Sequence, residues 1–116
     1  MDLTHAELIV ESDEDLEIFS SLCAGFDDRG NLVIELDFDD LTSRHRKHLT
    51  YAILDGDETK ILADSLHIPP QDIPARLRER FQCQWPIPVP SEVGDTFRDI
   101  LNFIIDCGAK YRLREE

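Results

Sequence analysis

Cysteine is scarce in this 116-residue chain, and the three present, Cys23, Cys83 and Cys107, lie far apart. An odd number without CxxC spacing excludes a disulfide scaffold and a zinc ribbon. It leaves thiols acting as small hydrophobes in a reduced, cytoplasmic setting. Glycine is limited to five residues and no segment repeats, which excludes collagen-like and solenoid architectures. Apolar runs are short, residues 32–34 being typical, against the roughly eighteen residues of a spanning helix. The opening Met1-Asp2-Leu3-Thr4-His5 has neither the basic nor the apolar stretch of an export signal. Basic residues are few as well. Twelve Lys and Arg face 25 Asp and Glu, for a formal net charge of −13. Such a field repels nucleic acid and anionic membrane and attracts basic surfaces.

What is present suits one domain. Apolar residues make up 41% of the chain and charged residues 32%, so it is neither disordered by composition nor membranous. Area scaling at this length has folding hide about two thirds of the chain's surface, enough for a core without staples. The charge is placed unevenly. Residues 1–40 hold thirteen acids and a single base, Arg29, so nearly the whole net charge sits in the first third. Two small basic clusters follow, Arg44, Arg46 and Lys47, then Arg76, Arg78 and Arg80.

The pattern of elements reads as strands, then helices, then a strand. Residues 6–11 form a short strand before the acidic turn 12–15. Residues 16–26 fit either a helical face or a strand, the preferred reading being a hairpin partner over 18–26. Asp27-Asp28-Arg29-Gly30-Asn31 is rich in turn residues. Beyond it Leu32, Ile34, Leu36 and Phe38 alternate with Val33, Glu35, Asp37 and Asp39, a period-2 strand with an acidic outer edge. Residues 41–48 read as a polar connection, and 49–54 as another strand with Leu49, Tyr51 and Ile53 on one side. Asp57 is placed to cap a helix over 58–66 that turns Ile61, Leu62 and Leu66 inward. A second helix begins near Pro70 with an Ile73, Leu77, Phe81 stripe. Trp85 with Pro86, Pro88 and Pro90 gives an extended strap. A helix over 93–107, capped by Ser91 or Asp95, follows with Phe97, Ile100, Leu101, Ile104 and Ile105 as its stripe and Gly108 as its stop. A short strand over 110–115 closes the chain. The expected fold is a single α+β domain over residues 1–116, an antiparallel sheet of about four to five strands packed on two to three helices.

Several constellations invite chemistry. An apolar strand ending in Asp55-Gly56-Asp57-Glu58-Thr59 resembles the first motif of haloacid-dehalogenase-type phosphatases. That resemblance implies Asp55 as the nucleophile, Asp57 as the acid that handles the leaving-group proton, and a bridging Mg²⁺. It covers five residues, and only 57 follow Thr59, too few for the parallel βα repeats of that family. The competing reading is a strand-ending Asp-Gly turn with a helix cap. Asp13 with Asp15, Asp27 with Asp28, and Asp37 with Asp39 and Asp40 suggest calcium, but no segment meets the twelve-residue loop pattern. His45 and His48 sit three apart amid Arg44, Arg46 and Lys47, whose charge opposes a divalent metal. No Ser/His/Asp arrangement, Gly-rich phosphate loop or nucleotide fingerprint is found, so no cofactor, no metal and no enzymatic activity are expected.

The expectation is therefore a cytoplasmic binding protein that neutralises a basic partner protein, an immunity or antitoxin-type inhibitor of a toxin such as a nuclease. A nuclease must be basic where it holds phosphate, and clustered carboxylates can imitate those phosphates. Charge complementarity also speeds association. The residues expected at that surface are Asp13, Glu14, Asp15, Glu35, Asp37, Asp39 and Asp40. The alternative is a regulatory adaptor that binds through the helical half, around Trp85, Arg76, Arg78 and Arg80.

Overall fold

The computed structural model describes residues 2–12, 18–40, 46–82 and 89–116. The alternating stretch after the Asp27–Asn31 turn becomes the central strand of a five-stranded antiparallel sheet. In chain order the strands are β1 (Thr4–Glu11), β2 (Ile18–Phe26), β3 (Leu32–Asp40), β4 (Arg46–Leu54) and β5 (Arg112–Glu115). They lie side by side in that same order, β1-β2-β3-β4-β5. Three helices are inserted between β4 and β5: α1 (Gly56–Leu66), α2 (Ile73–Phe81) and α3 (Pro90–Asp106), with a 3₁₀ turn over Pro70–Asp72 before α2. The fold is thus the expected α+β domain, with strands first, helices next and a short strand last.

All three helices contribute to one core against one sheet face. Leu22, Ala24, Leu32, Ile34, Ala52 and Leu54 supply the sheet side, and Leu62, Ile73, Leu77, Val93, Ile100 and Ile104 the helical side. The period-2 geometry of strands sends the alternate residues to the opposite face, on which no helix packs among the described residues. There Val33, Tyr51 and Ile53 form a second, small apolar cluster with Leu3 and Leu49.

The turn between β2 and β3 shows how a local sequence fixes the register. The Asp27 carboxylate accepts hydrogen bonds from the Arg29 and Asn31 amides, each at 2.9 Å, and from Asn31 Nδ2 at 3.1 Å. Gly30 takes φ +80°, which a side chain would resist. Burial acts to raise the Asp27 pKa, but the Asn31 and Arg29 hydrogen bonds outweigh it and hold the carboxyl below its ordinary range. With the turn set, β2 and β3 pair without interruption from Phe26 opposite Leu32 to Ile18 opposite Asp40. Residues 18–26 are therefore strand, as the hairpin reading prefers.

Expectations for β4, α1 and α3 need correction. Residues 46–48 are not part of a connection: they begin β4, with Asp39 opposite Lys47 and Asp40 opposite Arg46. The cap of α1 is Asp55, two residues earlier than expected, its side chain accepting from the Glu58 amide at 2.9 Å. The inward face of α1 accordingly holds Thr59, Leu62 and Ala63, and Ile61 is exposed. In α3 the chain enters through Pro90, after Val89, whose amide donates to the Glu92 carboxylate at 3.1 Å, so neither Ser91 nor Asp95 is the cap. Ile105 is exposed, unlike the rest of its expected stripe. No helix among the described residues is long and apolar enough to cross a membrane.

Candidate partner-binding face

The helix-free face of the sheet is where the acidic strand points. Glu35, Asp37 and Asp39 alternate along β3 with the core residues Ile34 and Leu36 and form one row on that face. All three are half-buried, not fully exposed. Glu35 and Asp37 have partners within the fold. Asp40 ends β3 in register with Arg46. Asp13, Glu14 and Asp15 lie outside the described residues, as do Arg44, His45, Cys83 and Trp85.

The neighbouring strands decide what surrounds this row. On one side Cys23 of β2 stands opposite Glu35, with Ser21 opposite Asp37. On the other, Tyr51 of β4 stands opposite Glu35 and Leu49 opposite Asp37. Beyond β4, Arg114 of β5 pairs with Tyr51 and Arg112 with Ile53. Leu49 and Glu116 exchange both backbone hydrogen bonds, at 3.1 and 2.8 Å. The antiparallel alternation then makes Tyr51 and Glu35 a non-hydrogen-bonded pair, the type that brings side chains closest. Arg114 reaches the Glu116 carboxylate at 2.7 Å.

Electrostatics follow from that arrangement. Burial, with the Glu35 and Asp37 carboxylates nearby, pushes the Cys23 thiol up to about 11. The Tyr51 phenol is also held above its ordinary value, by burial first and then by Glu35 and Glu116, with Arg114 pulling the other way. Its hydroxyl is buried with no hydrogen-bond partner among the described residues.

The described acids of the first forty residues are not brought into one patch. Asp27 and Asp28 stand at the β2–β3 turn, the opposite end of the sheet from Asp39. They border an open groove of about 540 Å³ that also takes in Asp2, Arg29, Arg112 and Arg114. Glu7 is turned toward the helices, where it meets Arg78 of α2 at 2.9 Å. The row on β3 is thus a narrow acidic ridge, with basic residues on β5 two strands away.

The competing constellations are spent inside the fold. Asp55 caps α1, and the Thr59 hydroxyl donates to the Asp55 carbonyl at 2.7 Å. The strand before them belongs to an antiparallel sheet, so the parallel, doubly wound domain implied by the phosphatase resemblance is not this fold. Of the α2 arginines, Arg78 is paired with Glu7, Arg76 lies 3.9 Å from Glu79, and Arg80 stacks 4.5 Å over Phe103. No cluster of three or more His, Cys, Asp or Glu among the described residues is arranged to hold a metal ion. Compared with protein-family models, curated proteins and solved structures, the chain matches none.

Sequence reasoning found the β3 row but missed Tyr51, Arg114 and Glu116 as its surroundings. Only the i, i+2 pattern of Leu49, Tyr51 and Ile53 hinted that Tyr51 faces outward with the acids. Nothing local could announce that β5, some sixty residues later, would bring two arginines and a glutamate beside it.

Proposed function

We propose that this chain is a binding protein that docks a basic partner protein along the open face of its sheet. The finer reading is a cytoplasmic inhibitor of the immunity or antitoxin type, whose partner is a toxin such as a nuclease. One observation carries it: a helix-free sheet face on which Glu35, Asp37 and Asp39 form a single ridge. Among the described residues no helix packs on this face, which leaves its half-buried ridge to be met by another protein, and a row of carboxylates at the ~7 Å spacing of alternate strand residues resembles the spacing of backbone phosphates. The net charge of −13 supplies the long-range attraction that brings a basic partner in quickly. The α2 arginines support the adaptor alternative less well, because all three already have partners in the fold.

The test is affinity capture from the native host's lysate, elution along a salt gradient, and an assay of the retained basic protein for nuclease or other toxic activity. The triple charge reversal Glu35→Lys, Asp37→Lys, Asp39→Lys should slow association with that protein by about tenfold or more. The neutral variants Glu35→Gln, Asp37→Asn and Asp39→Asn, checked for folding by circular dichroism, should slow it by less. An unchanged on-rate in both sets refutes the proposal.

A further inference from the structure

The cations of this acidic chain are not all matched to carboxylates. Among the described residues Arg76, Arg78, Arg98 and Arg114 each meet an Asp or Glu, and Arg80 lies over Phe103. Arg29, Lys110 and Arg112 make no ion pair among those residues, although the chain has 25 acids against 12 bases. The fold brings these three to one end of the sheet. Arg29 stands in the β2–β3 turn, Arg112 opens β5 opposite Ile53, and Lys110 lies just before it. Arg29 and Arg112 line the open groove of about 540 Å³. Arg112 and Lys110 line a smaller hollow of about 150 Å³ beside it, and Ile53 is common to both. Most acids of this lining are engaged by the backbone. Asp27 accepts from the turn amides, Asp55 from the Glu58 amide, and Glu58 from the Lys110 amide at 3.0 Å. Asp2 and Asp28, both exposed, are its remaining carboxylates.

We infer that this groove binds a small phosphate monoester whose body carries hydroxyl groups, with the phosphate on Arg112, flanked by Arg29 and Lys110. A guanidinium offers a phosphate two parallel N–H bonds, and a doubly charged anion answers more than one cation. The volume exceeds what a lone ion needs and falls within the range of about 300–1,000 Å³ typical of small-molecule sites. Ile53, buried within the small apolar cluster of the open face, gives the groove an apolar floor. Asp2 and Asp28 repel a second anionic group and accept hydrogen bonds from hydroxyls, which turns the neutral end of the ligand toward the β2–β3 turn. That turn and β5 are two strand spacings apart, about 10 Å, so one sugar-sized body bridges them. The site needs no protein partner. Because the net charge of −13 repels anions at long range, a phosphate stays only where these local contacts outweigh the field.

The experiment is an NMR chemical-shift titration of the full chain with ribose 5-phosphate at physiological ionic strength, with inorganic phosphate and ribose run in parallel. Ribose 5-phosphate should bind saturably, shift the Arg29, Lys110 and Arg112 amides, and bind about tenfold or more tightly than either fragment. Arg112→Ala should weaken it by about tenfold or more, and Arg112→Lys, which keeps the charge without the fork, by less. Lys60→Ala removes a cation that makes no ion pair among the described residues and lies on α1, outside the groove. It should change affinity by no more than about twofold. Circular dichroism checks that each variant folds. Three results overturn the inference: no saturable binding, equal losses in Lys60→Ala and Arg112→Ala, or inorganic phosphate binding as tightly as the ester.

Discussion

Gly25→Ala is the sharpest stability test of how β1 and the residues before it cross the sheet. A methyl group placed on Gly25 would lie 2.8 Å from Leu3 Cβ, 3.0 Å from the Thr4 carbonyl oxygen and 3.1 Å from Ala6 Cα. Ordinary contact begins at 3.4 Å, and two of the three atoms are backbone, which yields far less readily than a side-chain tip. The register of β1 on β2 already slips between Thr4 and Glu7, with His5 at φ +50°, so this stretch has little freedom left to absorb a shift. Overpacking of this kind costs about 1–3 kcal/mol, against a gain of about 0.4–1 kcal/mol from a stiffer unfolded chain. The net expectation is a loss of about 1–2 kcal/mol. Gly94→Ala is the matched control. It lies within α3 with nothing inside 4 Å of the added methyl, so the same chemical change should stabilise by about 0.5–1 kcal/mol. Urea denaturation followed by circular dichroism measures both. If Gly25→Ala is as stable as wild type, the close crossing of 3–6 over Gly25 is wrong. If Gly94→Ala destabilises, the open space beside α3 is wrong.

Asp55→Ala removes the cap of α1 and should cost about 1 kcal/mol in urea denaturation, whereas Asp57→Ala should stay within about 0.5 kcal/mol; the reverse order would restore Asp57 as the cap. Cys23, with its thiol pushed to about 11, stays protonated through neutral pH and should be alkylated by iodoacetamide far more slowly at pH 8 than free cysteine. Glu35→Gln removes one of the carboxylates that oppose thiolate formation, so it should speed labelling of the Cys23 peptide measured by mass spectrometry. No acceleration in that variant would mean that burial alone protects the thiol.

Much of the fold is legible in the sequence because its signals are local. The alternation after Gly30, the Asp27 turn, the Ile73–Leu77–Phe81 stripe and Gly108 each act within a few residues, and each forms the expected element. The misreading of residues 46–48 depends on contacts made from a distance, whereas those of α1 and α3 come from the choice between neighbouring cap residues. Residues 46–48 have no apolar alternation of their own, and they are strand because β3 runs on to Asp40 and offers its backbone as a pairing partner. Periodicity puts Ile61, Leu62 and Leu66 on the inward face of α1, but positions 59, 62 and 63 fit a helical side equally well. Moving the cap by two residues decides between them. The candidate site divides in the same way. Its β3 acids follow from strand period, while its Tyr51, Arg114 and Glu116 follow only from the order in which distant strands assemble.

That division changes what the charge means for the proposed partner. By sequence, residues 1–40 read as one acidic block. In the fold Glu7 is spent on α2, Asp27 and Asp28 stand at the far end, and Glu35, Asp37 and Asp39 alone share the ridge among the described residues. The net charge acts at distances beyond the Debye length of about 8–10 Å only in a screened, averaged way, so it governs approach and not fit. Once the surfaces touch, the pattern within the face decides. A partner that is uniformly basic would set some of its cations against Arg112 and Arg114 and lose there what it gains along β3. The partner best matched to this face aligns its basic residues with β3 and turns a neutral or acidic edge toward β5. On the proposed reading, discrimination among basic proteins therefore comes from the two β5 arginines as much as from the acids, since it is they that penalise the wrong partner.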